Sequence, residues 1–136
     1  GAIVVLTRGN VPRLLNMLHS IEYFFPQAIY RYPVIVFYDP HGTRIHKSDI
    51  DRVRSCVKLQ IIFETVILFD LMKHQAETID KINRESQTNH QRPIGYRFKC
   101  QFWSHTVFHH PAIKNRYDYI MRIDDDSYFL QSLPYD

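Results

Sequence analysis

Residues 2–15 read Ala2-Ile3-Val4-Val5-Leu6-Thr7-Arg8-Gly9-Asn10-Val11-Pro12-Arg13-Leu14-Leu15, and the order of types in this stretch decides the fold class. Ala2 to Thr7 is a continuous apolar, β-branched run, short enough for a strand buried on both faces of a parallel sheet. Asn10 then offers a helix cap, and Pro12 falls in a first helical turn, where its missing N–H costs nothing. Leu14, Leu15, Leu18, Ile21 and Phe25 follow at helical spacing, so the predicted helix has one apolar face. Pro26 stops it. A buried strand running directly into an amphipathic helix is the first half of a βαβ unit.

The alternation continues along the chain. Tyr32 to Tyr38 (YPVIVFY) is a second strand, closed by the turn residues Asp39-Pro40-His41-Gly42. Ser48 is placed to cap a short helix through Val53, and Leu59 to Phe63 reads as a third strand. From Thr65 to Gln87, Leu68, Leu71 and Met72 have helical spacing before polarity takes over; Gln87 to Pro93 is a polar loop. Tyr96 to His110 reads as a helix ended by Pro111, and Tyr117 to Ile123 as a strand leading into Asp124-Asp125-Asp126. Strands alternating with helices predict a single α/β domain over residues 1–136, with a mostly parallel sheet and helices on both faces. Ligands of such folds bind at the carboxyl ends of strands. Thr7-Arg8-Gly9, Tyr38-Asp39, Glu64 and the triple aspartate all fall there.

Composition narrows the partners. The 136 residues are 45% hydrophobic and 23% charged, an ordinary globular balance that excludes disordered, collagen-like and coiled-coil chains. No apolar run approaches the ~18 residues that cross a bilayer, and Ala2–Leu6 is too short for a signal-peptide core; no membrane segment is expected in this chain. Seventeen Lys and Arg against fourteen Asp and Glu give a net charge of +3, which suits an anionic ligand. The basic residues are scattered, without an arginine-rich arm or zinc-finger spacing, so nucleic acid is not an expected partner. Cys56 and Cys100 allow at most one disulfide; with no acid–base partner nearby in sequence, they read as buried and inert.

The acidic cluster carries the chemistry. In strand geometry Asp124 and Asp126 point to one side, about 7 Å apart at their Cα atoms, with Asp125 opposite. Two carboxylates on one face repel unless a cation lies between them or one takes a proton. Mg²⁺ and Mn²⁺ prefer such oxygen ligands and keep positions open for substrate phosphates. The structural alternative is a solvated, Asp-rich turn or helix cap. Two unrelated chemistries use a DxD arrangement at a strand end: nucleotide-sugar glycosyltransferases of the GT-A fold, and haloacid-dehalogenase-like phosphatases, in which the first Asp is the nucleophile. The phosphatase pattern expects Thr or Val where Tyr128 stands, and it places its other motifs downstream of a first strand.

From Tyr96 onward the order of residues resembles the fungal α-1,2-mannosyltransferase family (glycosyltransferase family 15). Tyr96-Arg97-Phe98-Lys99-Cys100-Gln101-Phe102-Trp103-Ser104, Phe108-His109-His110-Pro111, Tyr117-Asp118-Tyr119, Arg122-Ile123-Asp124-Asp125-Asp126 and Tyr135-Asp136 are similar to that family's YRHMCRFNSGFFFRHP…YDYYWRVEPD…FYCDIDYD. Ala2 to Arg8 resembles its AAYVTLAR strand, and Tyr32-Pro33 with Tyr38-Asp39 its YPW…LND segment. The family's Glu-Pro-Asp is Asp124-Asp125-Asp126 here; Trp103 replaces an Asn and His105 a Gly. The resemblance implies a GT-A (Rossmann-like) fold, of which this chain is the N-terminal, donor-binding part, and transfer of a hexose from a nucleotide sugar, GDP-mannose ahead of a UDP-sugar, to a glycan, glycoprotein or glycolipid acceptor, with retention of configuration. It implies Mn²⁺ or Mg²⁺ held by Asp126 and Asp124, Asp124 serving the ribose or an outer position if it is not a ligand, and Asp125 in the donor site. Thr7 and Arg8 would border base and ribose, Asp39 would accept hydrogen bonds from base or sugar, and Arg97 would reach the diphosphate or donor sugar and is the one catalytic candidate. The resemblance also implies the Golgi lumen; without it the chain reads as cytoplasmic. The alternatives are a phosphatase using the same aspartates and a non-catalytic sugar-nucleotide-binding module.

Other features have plainer readings beside functional ones. His105 and His109 are four apart, a spacing that can share a metal on a helix face, but no glutamate completes a metalloprotease pattern, so core or surface histidines are the reading. Tyr23, Phe24, Phe25 and Phe37 read as core. Trp103 stands where the resemblance puts a polar pocket residue, and His41 to Lys47 (HGTRIHK) is a basic loop, either solvated or a phosphate clamp.

Overall fold

The structure is a computed structural model and describes residues 1–26, 28–43, 45–68, 84 and 94–132. The chain forms two compact units: Gly1–Val66 with Tyr117–Asp136, and Ile67–Arg116. The first is an α/β layer built on four strands, β1 (Ala2–Leu6), β2 (Val34–Tyr38), β3 (Ile61–Thr65) and β4 (Ile120–Asp124). Every strand pair is parallel, in the order β3-β2-β1-β4. The strands are found where the apolar runs predict them, shifted by one to three residues at their ends. All five residues of β1 are buried, and in β2 Val34 to Phe37 are inaccessible, as strands covered on both faces must be.

α1 (Val11–Phe24) follows β1 with Asn10 as its cap: the Asn10 side chain accepts the Arg13 backbone N–H at 3.1 Å. Leu14, Met17, Leu18 and Ile21 face inward from it. They pack with Ile3 and Val5 of β1, Val34 and Val36 of β2, Ile61, Ile123 and Val53 into one core. The registers Ile3↔Val34 and Val5↔Val36 put these alternate residues on one side of the sheet. A fully buried side chain of this size contributes about 1.5–3 kcal/mol, so this face outweighs any local propensity. Phe25 and Phe37 belong to the buried set, whereas Tyr23 is 78% exposed.

Local details differ from expectation. α2 (Ala28–Arg31) is a single additional turn, too short to show periodicity. α3 runs Lys47–Cys56, longer than predicted, and is capped by His46 rather than Ser48: the Asp49 carboxylate accepts the His46 N–H at 2.9 Å. Cys56 and Cys100 are free and exposed, not buried; each sits on the outward side at the end of an amphipathic helix.

The second unit contains α4 (Ile94–Gln101), a π-helical segment (Phe102–Thr106) and α5 (Val107–His109), one helical path that stops before Pro111. The predicted helix is therefore present, with a widened turn in its middle. Phe102 and Trp103 of the widened turn are buried, in edge-to-face contact at 5.0 Å, as is Val107 after it. The stretch from Thr65 to Gln87, where Leu68, Leu71 and Met72 have helical spacing but no single element is predicted, lies largely outside the described residues, and the polar loop Gln87–Pro93 wholly so.

Because Leu18 is fully buried under β1 and β2, Leu18→Ala is expected to lower unfolding free energy by about 2–5 kcal/mol in urea titration. Tyr23→Ala should stay within about 0.5 kcal/mol of the parent chain.

Candidate functional site

The order β3-β2-β1-β4 determines where a ligand can enter. The chain lays β2 and β3 on one side of β1 and then returns to place β4 on the other. The winding therefore reverses between β1 and β4, and a crevice opens beyond their carboxyl ends. The residues at that point are Thr7-Arg8-Gly9 after β1 and Asp124-Asp125-Asp126 at the end of β4.

Register brings the two segments together. Leu6 pairs with Asp124, so the next step sets Thr7 beside Asp125. Thr7 is 2% and Asp125 7% exposed. The Thr7 hydroxyl donates to Asp125 Oδ2 at 2.8 Å, and the Arg8 backbone N–H donates to the same oxygen at 3.0 Å. Thr7 Oγ1 in turn accepts the Gly9 N–H at 3.1 Å. Gly9 has φ of 88°, a left-handed conformation that side chains with a Cβ rarely adopt. The β1–α1 turn is thus tied to the β4 turn by one carboxylate, 118 residues from its hydroxyl partner.

The three aspartates have three different roles. Strand alternation stops at Asp124, because residues 125 and 126 lie in a turn closed by the Ser127 N–H on the Asp124 carbonyl at 3.0 Å. The same-side placement that strand geometry gives Asp124 and Asp126 therefore does not apply, since only Asp124 is on the strand. The Asp124 carboxylate is gripped by the Arg122 guanidinium at 3.2 Å to both oxygens, the i, i+2 neighbour on its own strand. Asp125 is the latch just described. Asp126 is exposed and lines a pocket of about 280 Å³ with Arg13, Asn16 and Tyr128. Asp124 and Tyr128 border a second depression, of about 360 Å³, along β4.

Of the other expected site residues, Arg8 is exposed at the crevice. Asp39 is 1% exposed; its Oδ1 accepts the His41 N–H at 2.9 Å, and its carbonyl accepts Thr43 N–H and Oγ1. It shapes the loop after β2. Glu64 lies near the end of β3, opposite Phe37. Arg97 lies on α4 of the second unit. His105 and His109, also in that unit, are in tilted ring contact with centroids 4.4 Å apart. Arg13, Asn16 and Tyr128 were not signalled by any motif; only the fold brings a helix face to the aspartate turn.

Among the described residues no group of three or more His, Cys, Asp or Glu side chains is arranged to hold a metal ion. A divalent ion that arrives with a diphosphate needs only one or two carboxylates, since phosphate and water oxygens complete its shell. Asp126, with its carboxylate at the open end of the crevice, fits that requirement, and Asp124 adjoins it.

No protein-family model matches the sequence, and no curated protein matches it. Among solved structures the chain is similar to core-mannan synthase A (CmsA/Ktr4) from Aspergillus fumigatus in its Mn/GDP form, with a TM-score of 0.76 and 21% identity. The match covers 99% of this chain and 37% of that one. The likeness shows the fold: a GT-A-like α/β arrangement with an all-parallel sheet.

Removing the latch carboxylate leaves a buried hydroxyl and a backbone N–H without their charged acceptor. Asp125→Ala is expected to cost about 1.5–3 kcal/mol and Thr7→Val about 1 kcal/mol. In a double-mutant cycle by chemical denaturation the two should be coupled by at least about 0.5 kcal/mol; strict additivity would show that the bond contributes nothing.

Proposed function

We propose that this chain is the donor-binding part of a metal-dependent glycosyltransferase that moves a hexose from a nucleoside-diphosphate sugar, GDP-mannose first, to a glycan acceptor. The reading rests on one observation: Asp126, a carboxylate with no ion-pair partner among the described residues, stands at the switch point of a parallel sheet. Two likenesses support it. The ordered motifs from Tyr96 to Asp126 resemble the α-1,2-mannosyltransferase family, and the fold is shared with a mannan synthase whose structure is of a Mn/GDP form.

Each residue then has a task. Asp126, with Asp124, holds Mn²⁺ or Mg²⁺. When bound, the ion neutralises the charge that grows on the diphosphate as the bond to the sugar C1 breaks. Arg8 borders the base and ribose at the end of β1. Thr7 and Asp125 keep that border in place rather than touching the nucleotide. Asp39 supports the neighbouring loop. Arg97, in the second unit, is the residue that the family resemblance assigns to the diphosphate or the donor sugar.

Isothermal titration of GDP and UDP with and without Mn²⁺ tests the donor. Asp126→Ala should abolish Mn²⁺-dependent nucleotide binding while leaving the melting temperature unchanged; unaltered affinity would remove Asp126 from the site. Arg97→Ala should weaken GDP more than guanosine, and equal losses would make its role structural. Transfer of labelled mannose to a mannoside acceptor by the full-length protein separates an enzyme from a binding module.

A further inference from the structure

Asp126 shares its pocket with a cation that no motif announced. Arg13 and Asn16 are three residues apart on α1, hence on one face of the helix, and they form one wall of the depression of about 280 Å³. Asp126 and Tyr128 form the other. The second wall is anchored to the same helix: the Phe129 N–H donates to Ser20 Oγ at 3.1 Å, and Phe129 packs against the core.

The charges in this pocket are not paired. Among the described residues neither the Arg13 guanidinium nor the Asp126 carboxylate takes part in an ion pair or side-chain hydrogen bond; Arg13 contributes only its backbone N–H, to Asn10. Opposite charges on facing walls that do not meet leave room for a ligand carrying both signs. Arg13 also stands in the first turn of α1, where a positive charge opposes the helix dipole and no acidic residue offsets it. A bound anion would reverse that penalty.

We infer that Arg13 is an anion-binding residue of this pocket, which takes a pyrophosphate group whose divalent counterion lies on Asp126. The ligand class is a metal-chelated diphosphate, free or esterified to a nucleoside. Guanidinium suits it, since its fork of donors matches two phosphate oxygens at once. The inference rests on the proposed role of Asp126 as the cation's carboxylate, but it does not depend on a nucleoside being present.

The test is calorimetric titration of the parent chain, Arg13→Gln and Arg13→Lys with three probes in Mn²⁺: GDP, inorganic pyrophosphate and guanosine. Arg13→Gln should weaken GDP and pyrophosphate about tenfold or more and leave guanosine unchanged, with Arg13→Lys intermediate. A matching melting temperature shows that the fold is intact. If the parent chain binds Mn²⁺–pyrophosphate through Arg13 but not GDP, this inference stands and the nucleotide-sugar reading fails. Equal affinity of Arg13→Gln and parent chain for pyrophosphate, or no pyrophosphate binding by the parent chain, overturns the inference.

Discussion

The Asp125 carboxylate, buried between two turns, accepts the Thr7 hydroxyl and the Arg8 backbone N–H on one oxygen. A buried carboxylate is costly unless its hydrogen bonds are made, so the β1–α1 turn and the β4 turn hold each other in the geometry that satisfies it. The arrangement requires parallel pairing of β1 with β4, which brings residues 7 and 125 to the same level. It also requires Gly9 in a left-handed conformation, because the turn must fold back to place the Gly9 N–H on Thr7 Oγ1. Wherever a ligand binds at this edge, it meets a surface whose shape this bond maintains.

From that constraint comes the division of labour among three consecutive identical residues. Side chains of one type, adjacent in sequence, have different environments because the strand ends between them. Asp124 is still on the strand and meets its i, i+2 neighbour Arg122. Asp125 turns inward to the latch. Asp126, the second residue of the turn, lines a pocket with Arg13 and Asn16 of α1. The repulsion that three adjacent carboxylates would suffer is relieved by a guanidinium on one and by buried donors on the next, while the third is exposed at the pocket.

Much of the fold was legible in the order of residue types. Five apolar residues, a cap, a proline and a repeating apolar face are enough to specify β1 and α1, because burial of a contiguous surface dominates the local energetics. Asn10, Pro12 and Pro26 acted as expected. The capping of α3 by His46 and Asp49 was not legible, since a reciprocal cap depends on both partners and Ser48 offered an equally good local signal. The single turn of α2 and the π-helical widening at Phe102–Thr106 leave no periodic trace over so few residues. The exposure of the two cysteines depends on which side of a helix meets the core, and that is a property of the packed layer.

At the site, residue types and strand ends by themselves identified the edge of the sheet and the aspartates that crowd it, because a buried parallel strand must release its polar residues at its carboxyl end. What the sequence could not assign was which aspartate does what. Strand alternation treated residues 124 to 126 as one strand; the strand ends at Asp124, and Asp125 and Asp126 lie in a turn. Nor could it pair Thr7 with Asp125 across 118 positions, or set Arg13 facing Asp126, because those meetings follow from the registers of three strands and the seat of one helix. Local interactions determine elements within a few residues, whereas a pocket is a relation between surfaces that only the folded chain creates.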